Sequence, residues 1–237
     1  MKLYFTEKGT GFPFILLHGN GEDGSVFCHQ IERFSKEYRV IAPDTRGHGR
    51  SPRGEEPFTI RQFAEDLKEF MDEQQIERAN ILGFSDGGNI ALVFALKYPE
   101  RVNCLILNGA NLNGKGVKPS VQIPIIAGYH FASLCAKWSR KAKRNAEMLG
   151  LMVNDPDIKP EELSENQDPE FLRIPKLVIA GTKDMIKDEH TRLIYASLSN
   201  TQIALIPGDH FIASKNPEQF NAAVEEFLRK YQETERN

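Results

Sequence analysis

Gly83-Phe84-Ser85-Asp86-Gly87-Gly88 lies between a short apolar run, Ile81-Leu82, and a stretch in which Ile90, Leu92, Phe94 and Leu96 recur as on a helix. The pentapeptide from Gly83 to Gly87 is a G-x-S-x-G motif in a strand-before, helix-after setting, which is the setting its chemistry requires. A serine on so tight a turn projects its hydroxyl out of the sheet. The turn brings the flanking residues together, so glycine is expected two places before and two after it. Gly88 then lets the helix approach the sheet. The plain alternative is a glycine-rich turn with a bystander serine, and the flanking strand and helix argue against it.

The same alternation extends outward from this point. Phe14-Ile15-Leu16-Leu17, Val40-Ile41-Ala42, Cys104-Leu105-Ile106-Leu107, Leu177-Val178-Ile179-Ala180 and Ile203-Ala204-Leu205-Ile206 are short and continuous, as strands buried on both faces are. Between them run helical patterns: Phe63, Leu67, Phe70 and Met71, and later Phe220, Val224, Phe227 and Leu228. Strands alternating with helices predict a mainly parallel sheet covered by helices. Leu3-Tyr4-Phe5, joined through Glu7-Lys8-Gly9-Thr10-Gly11 to Phe12 onward, reads as a hairpin adding an antiparallel edge. The interval of about 60 residues between the Leu107 and Lys176 strands is far longer than an ordinary connection. It predicts a cap or lid over residues 112–172, inserted into one domain spanning 1–237. Val121 to Val153 reads as helix and carries Trp138, for which core packing is expected. It also carries the basic Lys137, Arg140, Lys141, Lys143 and Arg144. An acidic stretch follows, with Asp155, Asp157, Glu161, Glu162, Glu165, Asp168 and Glu170, and both charge runs read as solvated faces.

Composition narrows the function classes. The chain has 237 residues, 40% of them hydrophobic, 27% charged and 9% aromatic, which is ordinary for a globular protein. Thirty Lys and Arg against 33 Asp and Glu give a net charge of −3, and the pI is about 6.1. A nucleic-acid binder carries a basic stripe and a pI above about 9, so no nucleic-acid partner is expected. Cys28, Cys104 and Cys135 show no paired spacing, which excludes a disulfide framework and any C-x-x-C metal or redox site. No apolar run reaches the length of a membrane span, and the N-terminus meets charges too early for a secretory leader. No membrane partner and a cytoplasmic location are therefore expected.

A serine nucleophile needs a base and a group to orient that base. Of six histidines, only His210 lies just beyond a late buried strand, at the carboxyl end where an open parallel sheet places its ligands. Asp184 occupies the equivalent place after the preceding strand, and Ser85, Asp184, His210 is the chain order that goes with G-x-S-x-G. Asn108-Gly109-Ala110-Asn111, after the Leu107 strand, offers no carboxylate, and Asp188 is the weaker alternative to Asp184. The oxyanion needs two N–H donors. These are assigned to the backbone of Asp86 and to that of Asn20 in His18-Gly19-Asn20-Gly21, with Gly21 in reserve and His18 as the loop's support.

With these residues in place, the chain resembles an α/β-hydrolase-fold serine hydrolase. The resemblance runs from His18-Gly19 through Asp44-Thr45-Arg46-Gly47-His48-Gly49-Arg50-Ser51 and the serine motif to Asp184 and His210. It implies an α/β-hydrolase fold with a mostly parallel sheet of seven or eight strands, seven being expected because the start is short. It implies further that Asp44 and Arg46 hydrogen-bond within their loop, and that neither cofactor nor metal is needed. A rival signal exists: Gly19-Asn20-Gly21-Glu22-Asp23-Gly24 fits G-x-G-x-x-G, with Asp44 about 20 residues on, as in an NAD-binding oxidoreductase. Glu22 and Asp23 would there put carboxylates where a helix N-terminus should receive pyrophosphate, and Ser85, Asp184 and His210 would be left unexplained.

Relatives with an aspartate nucleophile, the dehalogenases and epoxide hydrolases, are set aside by Ser85. Esterase, thioesterase, amidase, perhydrolase and carbon–carbon bond hydrolase remain, as does a non-catalytic small-molecule receptor that keeps the triad. Asp86 stands where general esterases of this fold often carry an apolar residue. Ser-Asp-Gly-Gly, with Asn-Gly-Ala-Asn after the next strand, is similar to the valacyclovir-hydrolase-like branch, which cleaves α-amino acid esters. The expected ligand is thus a small ester-like molecule, with Asp86, His130 and Trp138 as candidate substrate-binding residues.

Overall fold

Side chains in the apolar runs point alternately to the two faces of a strand, and in every run but the one at 203–206 both faces are covered, so those runs can be apolar throughout. The run at 203–206 lies at the sheet edge and is only half-buried, with Leu205 exposed. In the computed structural model, which describes residues 1–232, the strands are β1 (Phe5–Lys8), β2 (Pro13–Leu17), β3 (Arg39–Pro43), β4 (Ala79–Phe84), β5 (Val102–Asn108), β6 (Lys176–Gly181) and β7 (Thr201–Ile206). They form one seven-stranded sheet in the order β1-β3-β2-β4-β5-β6-β7, parallel everywhere except at β1. The helices are α1 (Cys28–Phe34), α2 (Ile60–Glu73), α3 (Asp86–Lys97), α4 (Pro119–Cys135), α5 (Arg140–Asn154), α6 (Pro160–Ser164), α7 (Pro169–Arg173), α8 (Asp188–Ser197), α9 (Ile212–Lys215) and α10 (Pro217–Gln232).

Ile15, Leu17, Ile81, Leu105 and Leu107 face one core with Phe63, Phe70 and Phe94 of α2 and α3. Phe14, Leu16, Leu82 and Ile106 face the other, with Phe34 of α1 and Phe220, Val224 and Phe227 of α10. No helix among the described residues is long and apolar enough to cross a membrane.

Two expectations need correction. The first strand is antiparallel and lies at an edge, but it makes no hairpin with β2. It pairs with β3, Phe5 opposite Pro43 and Lys8 opposite Val40, because β3 and β4 already occupy both flanks of β2. The second correction is Trp138, which is 78% exposed rather than packed in the core. The helical reading of Val121 to Val153 resolves into α4 and α5, broken where Ser139 caps α5 by accepting the N–H of Ala142 at 3.2 Å.

Helices α4 to α7 all fall between β5 and β6. The entry to this insertion is fastened to the core by a bridge between Val117 and Ile186 and by the Leu112 N–H, which donates to His190 Nε2 at 3.0 Å.

Candidate active site

β4 delivers Ser85 to the carboxyl edge of the sheet. Its backbone sits at φ 54°, ψ −120°, a conformation costing a non-glycine residue about 1–3 kcal/mol. The turn closes because a Cβ on Gly83 would lie 2.1 Å from the Gly87 carbonyl, and one on Gly87 would lie 2.0 Å from the Leu17 carbonyl. Only glycine fits at either place, as the spacing of the motif implies. The Ser85 N–H donates to the Asn108 carbonyl at 2.8 Å, tying the turn to the end of β5.

β6 and β7 bring Asp184 and His210 together. His210 Nδ1 lies 2.7 Å from Asp184 Oδ1, with both side chains almost fully buried. A carboxylate only accepts, so Nδ1 carries the proton and Nε2 presents its lone pair. That Nε2 is buried and has no hydrogen-bond partner. Asp184 is held in turn by the N–H groups of Ile186 at 2.9 Å and Gly181 at 3.4 Å. The His210 ring packs 4.9 Å from the ring of Phe84, the residue before the serine. Asp188 sits one turn on, at the start of α8, and pairs with Arg192 instead.

The loop after β2 presses on the same point. A Cβ on Gly19 would stand 3.2 Å from Ser85 Cβ. The Asn20 side-chain amide donates both to Asp86 Oδ2 at 2.8 Å and to the Met148 carbonyl of α5 at 2.8 Å. Asn20, Asp86 and the insertion are therefore joined through one amide group. Gly21 takes φ 74° and has open space around it. The Asp86 N–H belongs to the first turn of α3, where helix geometry provides no internal acceptor.

Asp86 is 6% exposed. Burial pushes its carboxyl pKa up, against the opposing pull of the hydrogen bonds from Asn20 and Asn89. Two further acids stand near the site, though the sequence gives them no part in it. Glu22 accepts the Gly19 N–H at 3.1 Å and is likewise pushed up by burial. Asp155, just after α5, is half-buried, and burial together with the nearby Asp86 charge pushes it up to about 6. Nothing local marks Asp155, since it belongs to an acidic stretch that reads as solvated and meets Asp86 only through the fold. Glu22 stood in plain view as the residue that spoiled a pyrophosphate site.

His18 supports the loop. Its Nδ1 donates to the Gly19 carbonyl at 2.8 Å, and its Nε2 accepts the Thr45 N–H at 2.9 Å. Asp44 accepts from the Gly24 N–H at 2.9 Å and the Arg50 N–H at 2.8 Å, so both its oxygens are engaged inside the protein rather than offered to a ribose. Arg46 makes a buried two-point pair with Asp66, Nε to Oδ2 at 2.7 Å. His130 and Trp138 lie on the exposed side of the insertion, with His130 packed against Tyr129.

Comparison with known proteins agrees with this architecture. Residues 13–134 match the profile of the alpha/beta hydrolase fold. RutD of Caulobacter sp. (strain K31), assigned as a carbamate hydrolase, is 30% identical over 90% of this chain and 89% of its own. The human serine hydrolase BPHL is 26% identical over 97% of this chain and 84% of its own. The crystal structure of the enol-lactonase from Burkholderia xenovorans LB400 superposes with a TM-score of 0.79 at 22% identity, covering 96% of each chain. Fold, elbow and relatives converge: the chain belongs to the α/β-hydrolase family and is a hydrolase.

Proposed function

We propose that this hydrolase cleaves a small carboxylic ester, or a related thioester or amide, through an acyl-enzyme formed on Ser85. The observation that carries the reading is the unpartnered, buried Nε2 of His210, on an imidazole fixed by Asp184 and packed against the residue preceding Ser85. His210 Nε2 accepts the Ser85 proton as Oγ attacks the carbonyl carbon, and Asp184 stabilises the imidazolium that forms. The backbone N–H groups of Asp86 and Asn20 receive the oxyanion. Collapse of the tetrahedral adduct expels the leaving group, which takes the proton from His210. Water, deprotonated by the same Nε2, then releases the acid and restores Ser85. The helices from α4 to α7 act as the cap over this chemistry. Cys28, Cys104 and Cys135 form no disulfide among the described residues, which favours a reducing cytoplasm as the setting.

The substrate carries an amino group in this reading. The Asp86 charge raises the proton affinity of Asp155, and a bound ammonium relieves that repulsion. A unit charge about 6 Å from the ammonium, at an effective dielectric near 20, contributes about 3 kcal/mol, or roughly a hundredfold preference. The test compares an α-amino acid ester with its N-acetyl counterpart on wild type and Asp86→Asn. The wild-type ratio is expected to favour the free amine, to rise as pH climbs through about 6 and Asp155 ionises, and to collapse in Asp86→Asn. An equal ratio for both enzymes would refute the amino preference. Fluorophosphonate labelling and ester turnover that survive in Ser85→Ala would refute the nucleophile itself. Labelling without turnover of any ester would favour a receptor.

A further inference from the structure

We propose that the outer face of α4, together with the start of α5, docks on an anionic lipid surface. Helix α4, Pro119–Cys135, contains no Asp, Glu, Lys or Arg. At 100° per residue, Ile123, Phe131 and Leu134 fall on one side of the helix, and Trp138 follows just beyond its end. These four are 65%, 71%, 62% and 78% exposed. The other exposed large apolar residues, such as Phe12 at 39% and Phe211 at 42%, are all far less so. Side chains lining a cleft are half covered by its walls. Exposure above 60% describes a convex ridge.

The next turn of chain is basic: Lys137, Arg140, Lys141, Lys143 and Arg144 are all exposed. The first turn of α5 holds no acidic residue. Cations at a helix N-terminus oppose its dipole, so this arrangement calls for a negative partner outside the protein. Arg140, Lys143 and Arg144 also line a cavity of about 690 Å³ against Gly47, Arg53, Glu55 and Glu147, where Glu147 is taken up by Arg53 at 2.8 Å.

An apolar ridge flanked by lysine and arginine is the pattern of a peripheral membrane helix, whose rings enter the acyl boundary while the cations meet anionic headgroups. A second copy of the ridge brings only the same basic cluster and no anion to meet it, whereas an anionic surface supplies one. The expectation of no membrane partner rested on the lack of a spanning segment, which a surface contact does not need.

Trp138 is the sole tryptophan, so the emission of the unlabelled full chain reports on the ridge directly. The protein is titrated with phosphatidylcholine vesicles containing about one-third phosphatidylglycerol, and with pure phosphatidylcholine vesicles. Expected are a blue shift and co-sedimentation with the anionic vesicles only, both weakened by added salt. Lys137→Gln with Lys141→Gln should weaken vesicle affinity about 25-fold, taking about fivefold per lysine. Phe131→Ser, checked for an unchanged circular dichroism spectrum, should sediment poorly with the same vesicles. The proposal is overturned by no binding, by equal binding to pure phosphatidylcholine, by the same blue shift with inorganic phosphate alone, or by a blue shift that follows protein concentration without vesicles, as self-association would produce. This docking is independent of the hydrolytic reading, and Ser85→Ala should bind vesicles as wild type does.

Discussion

Gly109 follows β5 with φ 61° and faces the imidazole of His210. A methyl group placed there would stand 2.7 Å from Cε1 and 2.9 Å from Nδ1 of His210, and 3.5 Å from Asp184 Oδ2. Carbon atoms normally approach to about 3.5–4.0 Å, so Gly109→Ala must displace the ring by about 1 Å. That movement comes at the expense of the 2.7 Å bond between His210 and Asp184. A displacement of this size costs about a hundredfold in rate when the moved group must meet a reacting atom, or about 2.7 kcal/mol of barrier. The left-handed backbone adds about 1–2 kcal/mol of strain to the alanine variant, which is too little to unfold a domain of ordinary stability. The assay is kcat/KM on a p-nitrophenyl ester, accompanied by a thermal melt and the low-field proton resonance of His210 Nδ1–H. Activity should fall about a hundredfold and the resonance should shift or broaden, while the melt stays cooperative. Gly150→Ala in α5, whose methyl would meet nothing closer than Tyr129 Cε2 at 3.4 Å, serves as the neutral control. A Gly109→Ala enzyme within about threefold of wild type, with an unchanged resonance, would refute the account of how the imidazole is held.

Acid should weaken the fold through the histidines behind the active-site loop. Burial pulls His48 down to about 4 and also lowers His18, so between the unfolded value near 6.5 and about 4 the unfolded chain binds protons that the fold refuses. Stability is complete above pH 6.5 and falls as pH drops through that window, by up to about 3 kcal/mol from His48 alone. Urea midpoints measured from pH 7.5 to 4.5 would count against this if His48→Gln gave an equally steep decline. Asp66→Asn should be more damaging at any pH. Arg46 and Asp66 are each only 2% exposed, and a guanidinium left without its carboxylate costs about 3–5 kcal/mol, or roughly 10 °C in Tm. The double change Arg46→Met with Asp66→Leu should recover part of that loss, and a melt lower than that of the single variant would contradict it.

The inner strands were legible because burial on both faces leaves a continuous apolar run, and the positions after β4, β6 and β7 followed from where a parallel sheet ends. The glycines of the elbow were legible for a steric reason, the carbonyls of Gly87 and Leu17 standing about 2 Å from where their Cβ atoms would be. What escaped the sequence was non-local. The pairing of β1 depended on both sides of β2 being taken. The meeting of Asp155 with Asp86, and the amide of Asn20 shared between Asp86 and Met148, join residues 66 to 128 positions apart. Trp138 was misplaced because tryptophan is usually well buried, and a lone residue type does not say which side of a helix faces water.

β5 and β6 are hydrogen-bonded neighbours inside the sheet, from Leu105 opposite Lys176 to Asn108 opposite Ile179, although four helices separate them along the chain. A protease that nicks an exposed turn of the insertion therefore severs the polypeptide without severing the sheet. The amino-terminal piece keeps Ser85 and the carboxyl-terminal piece keeps Asp184 and His210, each holding one partner of the shared ladder. The molecule is thus a natural candidate for a two-fragment reporter. Neither half holds all three of these side chains, and reassembly along one strand pair would bring them back into register.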